Sequence, residues 1–83
     1  MIYLIFTQQG FEQVKADIVH NKAELWLNPG ILSAEQLNDL DAQSIPYSFL
    51  TTLTDVNRED EVIKALNYVE QHTKDKHILI EFL

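Results

Sequence analysis

Four short apolar segments alternate with three stretches of helical apolar spacing along this chain. Residues 2–6, 24–27, 47–54 and 77–82 are rich in Ile, Leu, Phe and Tyr, which favour strands. Residues 8–21, residues 34–43 and a stretch that ends at His72 carry apolar residues at helical spacing. This alternation predicts strands that pair in parallel through right-handed crossovers. We therefore predict one small α/β domain over residues 1–83, βαβαβαβ, with a mostly parallel four-stranded sheet.

The order of the strands is less constrained than their number. We predict the order 2-1-3-4, in which the first helix covers one face and the other two helices cover the opposite face. The first and last strands, which are the most apolar, should then be well covered. A ferredoxin-like α+β fold is the alternative, and it requires a β-hairpin in place of the second helix. The expected centre of the core is formed by Leu4, Phe6, Ile18, Leu66, Ile78 and Ile80.

Two helix starts carry recognisable signals. Ser33 followed by Gln36 is typical of a capping box, and Leu32 and Leu37 are placed as a hydrophobic staple. The third helix is expected to start near residue 55 or 57, where Asp or Asn can cap it. Acids in its first turn suit the helix dipole. Its predicted buried stripe is formed by Val62, Ile63, Leu66 and Val69.

Charge and composition exclude several classes of protein. The net charge is −7, and residues 31–61 carry one arginine against seven acids, a net of −6. Such a chain repels a phosphate backbone, so we expect no binding of nucleic acid. The acidic segment is either solvated surface or a face for a basic protein partner. The absence of cysteine excludes disulfides, a thiol nucleophile and CxxC sites.

The apolar amino-terminal segment is too short for a membrane span, which needs about 20 residues. No basic residue precedes it, and the chain turns polar at Thr7, unlike a secretory signal. We interpret it as a strand and expect a cytoplasmic protein without membrane contact.

Candidates for ligand binding follow the predicted strands. In parallel sheets, ligands collect at the carboxyl ends of the strands. Turns and caps favour the same polar residues for local reasons, so that explanation stays open. No glycine-rich phosphate loop accompanies them. The candidates are Thr7, Gln8, Gln9, Asn28, Asp55, Asn57 and Arg58.

Catalytic and metal-binding residues are not evident. His20, His72 and His77 fall at the amino ends of predicted strands, and the order 2-1-3-4 would place the second and fourth strands about 14 Å apart. Consecutive acids at 59–61 point in different directions on a helix and do not converge on one ion. We therefore expect no metal, cofactor or catalytic residue. Trp26 is expected in the core, with an interface as the alternative.

These observations predict a non-catalytic protein-interaction module with an acidic central segment, residues 31–61. We expect a homodimer, because three short helices cover the sheet incompletely and the last strand, with one acid at Glu81 and no proline, has little that blocks strand addition. The alternative is a small-molecule or nucleotide-binding domain that uses the carboxyl edge of the sheet.

Overall fold

Four parallel strands form one sheet, and three helices connect them. The strands are β1 (Ile2–Ile5), β2 (Glu24–Leu27), β3 (Tyr47–Phe49) and β4 (Ile78–Glu81), and the helices are α1 (Gln8–Asn21), α2 (Ala34–Ala42) and α3 (Glu59–His72). This computed structural model describes residues 1–73 and 77–81. The predicted α/β class is confirmed, and the parallel pairs together with α2 exclude the ferredoxin-like alternative. Residue 82, where the last strand was predicted to end, lies outside the described residues. In the described part of the chain, no helix is long and apolar enough to cross a membrane.

The strands lie in the order β3-β2-β1-β4, so the predicted order 2-1-3-4 is wrong. β1 is central, and Ile2 is in register with Glu24 on one side and with Ile78 on the other. The difference has a physical reason. β1 is buried along its whole length, whereas β3 has only three residues, which are half-buried or exposed. β3 therefore lies at an edge, and β4 takes the place beside β1 that the predicted order gave to β3.

The helices cover the two faces unequally. α1 and α2 pack on one face, and α3 packs alone on the other. Right-handed crossovers require this, because the first two connections move along the sheet in one direction and the third returns. The predicted grouping, with the second and third helices together, is therefore corrected. The first cluster is centred on Tyr3, Ile5, Phe11, Ile18, Leu25 and Leu27, and the second on Ile2, Leu4, Phe6, Trp26, Val62 and Val69.

Half of the predicted core centre is fully buried. Leu4, Phe6 and Ile18 are at most 2% exposed. In contrast, Ile78 and Ile80 on β4 are only half-buried, as is Leu66 on α3. The prediction that the last strand is well covered is wrong, because α3 packs alone on one face and neither α1 nor α2 extends over β4 on the other.

The start of α2 agrees with its sequence signals. Ser33 Oγ accepts from the backbone N–H of Gln36 at 3.1 Å, and Gln36 Oε1 accepts from the backbone N–H of Ser33 at 2.9 Å. The capping box is thus complete.

The start of α3 differs from its prediction. Arg58 is the N-cap residue, and its side chain makes no capping hydrogen bond. The Asp55 carboxylate instead accepts from the backbone N–H of Asn57 at 2.9 Å, in the turn before the helix. Asp55 therefore stabilises the approach to α3 and does not cap it.

Candidate functional site

Three of the seven candidate residues meet at the carboxyl edge of the sheet. Thr7 follows β1, Asn28 follows β2, and Asp55 lies beyond β3. Together they line a groove of about 400 Å³. Its other lining residues are Phe6, Ile31, Leu53, Thr54 and Val56.

Asn28 connects three strand ends from a buried position, at 2% exposure. Its Nδ2 donates to the carbonyl of Phe6 at 3.1 Å and to the carbonyl of Thr54 at 2.9 Å. Its Oδ1 accepts from the backbone N–H of Thr54 at 2.7 Å. Both donor hydrogens and the acceptor are therefore used within the protein. This side chain holds the loops together and has little capacity left for a ligand.

Thr7 and Asp55 are also engaged locally. Thr7 Oγ1 accepts from the backbone N–H of Gly10 at 3.0 Å and caps α1. Asp55 Oδ1 accepts from the backbone N–H of Asn57 in the turn already described. The groove thus brings these candidates together, but the hydrogen bonds they make are those of caps and turns.

The remaining candidates, Gln8, Gln9, Asn57 and Arg58, do not line this groove. Gln8 Nε2 donates to Oε1 of Gln36 on α2 at 3.4 Å, and Gln9 is exposed in the first turn of α1. Asn57 is exposed in the turn before α3.

Arg58 lines a second cleft of about 470 Å³, between α3 and the chain that follows β3. α3 leaves the β3 side of its face open, which creates this space. The Arg58 guanidinium lies 3.5 Å from the Asp60 carboxylate and 3.4 Å from that of Glu61, so its charge is balanced on the surface. Asp60 and Glu61 also line the cleft, and the other lining residues are Leu50, Thr51, Thr52, Thr54, Lys64, Ala65 and Tyr68.

The acidic central segment does not form one continuous face. Three of its acids lie on α2, and four lie at or just before the start of α3, on the opposite face of the sheet. The first group is Glu35, Asp39 and Asp41, and the second is Asp55, Glu59, Asp60 and Glu61.

One acid of α2, Asp41, contacts Tyr47 on the edge strand β3. The Tyr47 hydroxyl donates to Oδ2 of Asp41 at 3.4 Å. Partial burial, followed by the nearby Asp41 carboxylate and this hydrogen bond, raises the pKa of Tyr47 above its ordinary value. The Tyr47 ring also packs edge-on against Phe49, at 5.8 Å between ring centroids.

The histidines lie on separate elements. His20 is in the last turn of α1, and His77 precedes β4. His72 stacks on Tyr68 at 4.1 Å between ring centroids. The observed order places β2 and β4 two strand spacings apart, which corrects the expected three. Among residues 1–73 and 77–81, no three His, Asp or Glu side chains are grouped as metal ligands.

A group of apolar side chains lies along the β4 edge. It consists of Ile63, Leu66, Ile78, Leu79 and Ile80, and we call it the β4 edge surface. Ile63 is 50% exposed and Leu79 is 47% exposed. Leu79 is in register with Tyr3, on the face of α1 and α2, where neither helix extends over β4. Two exposed large aliphatic side chains therefore flank an open strand.

The sequence interpretation missed the role of Ile63, which it placed in the buried stripe of α3. Val62 occupies the core position at 7% exposure. Adjacent helical residues point about 100° apart, so Ile63 cannot share that position. The sequence therefore showed that Val62 and Ile63 point in different directions. It did not show which side of α3 faces β4.

Together, the fold and these surfaces define, over the residues that the structure describes, a parallel α/β domain with an apolar sheet edge at β4. Comparison with models of known families, with curated proteins and with solved structures finds no match for this chain.

Proposed function

We propose that this chain is a non-catalytic protein-interaction module that self-associates through the β4 edge surface. The observation that carries the proposal is the combination of an unpaired strand edge with exposed Ile63 and Leu79. The cytoplasmic location expected from the sequence belongs to the same proposal.

The β4 edge is the better of the two sheet edges for adding a strand. An edge strand presents backbone N–H and C=O groups that a further strand can pair. β4 has four residues and no proline; Ile78, Leu79 and Ile80 are uncharged, and Glu81 at its end is its one charged residue. β3 has only three residues and follows Pro46, which cannot donate a backbone hydrogen bond.

A basic protein partner is a secondary part of this proposal. The acids at the start of α3 are exposed apart from Glu61, which is half-buried, and Arg58 balances part of their charge. Because the acidic segment is divided between two faces, one such partner would contact only one of its two groups. The net charge of −7 argues against nucleic acid as the partner.

Small-molecule binding is the second candidate function, and the cleft beside α3 favours it. The cleft combines hydroxyl groups of Thr51, Thr52 and Tyr68 with the ammonium group of Lys64. A thermal-shift screen of metabolites and nucleotides tests it, because a ligand at 100 times its Kd adds about 2.7 kcal/mol of stability. A hit must weaken in Lys64→Gln to support this cleft, and a screen without hits counts against it.

Sedimentation velocity tests the first candidate. We expect a dimer of twice 9.6 kDa for the natural chain. Leu79→Lys should give a monomer, because an edge lysine blocks strand addition. Leu53→Lys is the matched control: Leu53 is 67% exposed and lies off the β4 edge surface, so this variant should remain dimeric. At about 1 mM protein, a dimerisation free energy of only about 4 kcal/mol is enough for a dimer to be detected. If the natural chain stays near 9.6 kDa up to that concentration, the proposal is contradicted.

A further inference from the structure

We infer that a second copy binds antiparallel at the β4 edge surface, so that the two sheets join into one of eight strands. The two-fold axis passes between β4 and its copy, perpendicular to the sheet, and both α3 helices lie on the same face. Ile63 and Leu66 of the two copies then face each other above the joined strands. This inference rests on the proposed function and adds the partner, the arrangement and the role of α3.

Aromatic contacts fix which side of α3 faces the β4 edge. Trp26 on β2 contacts Tyr68 at 5.7 Å and His72 at 6.2 Å between ring centroids. One side of α3 therefore faces β2. Helical periodicity places Ile63 and Leu66 on the opposite side, which faces β4.

The position of α3 over the sheet sets the distance between the two α3 helices in the dimer. Ile2 and Leu4 on β1 are fully buried under α3, whereas Ile78 and Ile80 on β4 are half-buried. We therefore place α3 over β1. With about 4.8 Å between strands, the two α3 axes lie three spacings apart, about 14 Å. Packed helices are about 8–10 Å apart, so a groove remains between them.

The apolar side chains of this surface suit that groove. Ile78 and Ile80 of both copies form its floor. Ile63 and Leu66 project into it from both sides. The half-burial of the two β4 residues in a single chain is then explained, because the second copy supplies the missing cover.

The area that a stable interface requires indicates that α3 must belong to it. A stable interface takes about 800 Å² from each partner. The accessible surface of the chain is 5191 Å², so the interface needs about 15% of it. That is about one whole side of a body with extents of 34 × 26 × 20 Å. A four-residue strand edge alone is too small, and the flank of α3 enlarges it.

Apolar character favours a second copy over a basic partner at this surface. The five side chains of the β4 edge surface carry no charge, so a basic protein would find complementary acids only at its rim. A second copy brings the same uncharged, apolar side chains and an identical free strand edge. Self-complementarity of this kind is what a two-fold interface needs.

Acids at the rim give the interface a salt dependence. Glu59 and Glu70 are exposed, and helical periodicity places them on the same side of α3 as Ile63. The two-fold axis makes the α3 helices antiparallel, which brings Glu59 of each copy towards Glu70 of the other. Because these like charges repel, the dimer should tighten as salt rises.

Single-cysteine cross-linking tests the arrangement directly, because the natural chain has no cysteine. A short bismaleimide should join Ile63→Cys into a covalent dimer. Phe49→Cys is the control: Phe49 is 44% exposed on β3, away from the joint, and should stay uncoupled. Ile63→Cys removes an apolar side chain and can itself weaken the dimer. Asn67→Cys changes an exposed polar residue next to the same flank of α3, so it should cross-link without that loss.

The salt dependence is measured by sedimentation on the same chain. Glu70→Gln should tighten the dimer several-fold at low salt, whereas Glu35→Gln on α2 makes the same charge change without effect. A dimer that cross-links at neither position 63 nor position 67 overturns the arrangement but leaves the proposed function standing. A chain that does not associate at any salt concentration overturns both.

Discussion

Asn28 is the polar side chain whose loss should cost this domain most. Asn28→Ala removes two hydrogen bonds to carbonyls and one from a backbone N–H, all of them buried. Each bond contributes about 1 kcal/mol net, so the free energy of unfolding should fall by about 3 kcal/mol. A chain of 83 residues has only about 4–12 kcal/mol in total.

Urea unfolding followed by circular dichroism measures this loss. The midpoint should fall while the slope stays the same, because the surface exposed on unfolding is unchanged. The melting temperature should fall by about 12–24 °C for a domain of this size. Asn57→Ala is the matched control: Asn57 is exposed, and its replacement should stay within about 0.5 kcal/mol.

The outcome that refutes this reasoning is equal stability of the two variants. It would mean that Asn28 does not hold the ends of β1 and β2 to the chain after β3. The groove at the carboxyl edge would then need a new description, and Asn28 would again be a candidate for ligand binding.

Three further predictions concern stability and titration. Ser33→Ala should lower the free energy of unfolding by about 0.5–2 kcal/mol in urea unfolding, because it removes the cap of α2. Leu4→Ala should cost about 2–5 kcal/mol, whereas Leu53→Ala, at a position 67% exposed, should cost less than about 0.5 kcal/mol; similar losses would show that the core is misplaced. Asp41→Asn should lower the raised pKa of Tyr47 in a spectrophotometric titration. In the natural chain, the contact between Tyr47 and Asp41 stabilises the fold while Tyr47 is protonated, and this stability should be lost as pH rises through the pKa of Tyr47. An unchanged tyrosine titration would contradict the contact with Asp41.

The elements of this fold could be predicted from the sequence because their signals are local. The capping box at Ser33 and the apolar run of β1 each depend on a few adjacent residues. The extent of β3 was overestimated: pairing with β2 ends at Phe49, and only the Leu50 N–H continues it, with a bond to the Leu27 carbonyl. The alternating residues 50–54 had suggested a longer strand.

The strand order could not be predicted, because no local signal specifies that β4 returns beside β1. The candidate residues at the carboxyl edge were placed correctly in space for Thr7, Asn28 and Asp55. The hydrogen bonds of Asn28 were not foreseeable, since its burial depends on the chain near Thr54, which is distant in sequence. The β4 edge surface was missed as a unit for the same reason: its parts on α3 and β4 meet only once the order is known.

The central position of β1 sets the order in which the domain can assemble. β1 and β2 pair Ile2 with Glu24, whereas β1 and β4 pair Ile2 with Ile78, which closes a much longer loop. That longer closure costs about 1 kcal/mol more in chain entropy. We therefore expect the β1-α1-β2 unit to form early and β4 to dock last. During synthesis, the most apolar strand of the domain then keeps one edge open until residues 78–81 have left the ribosome.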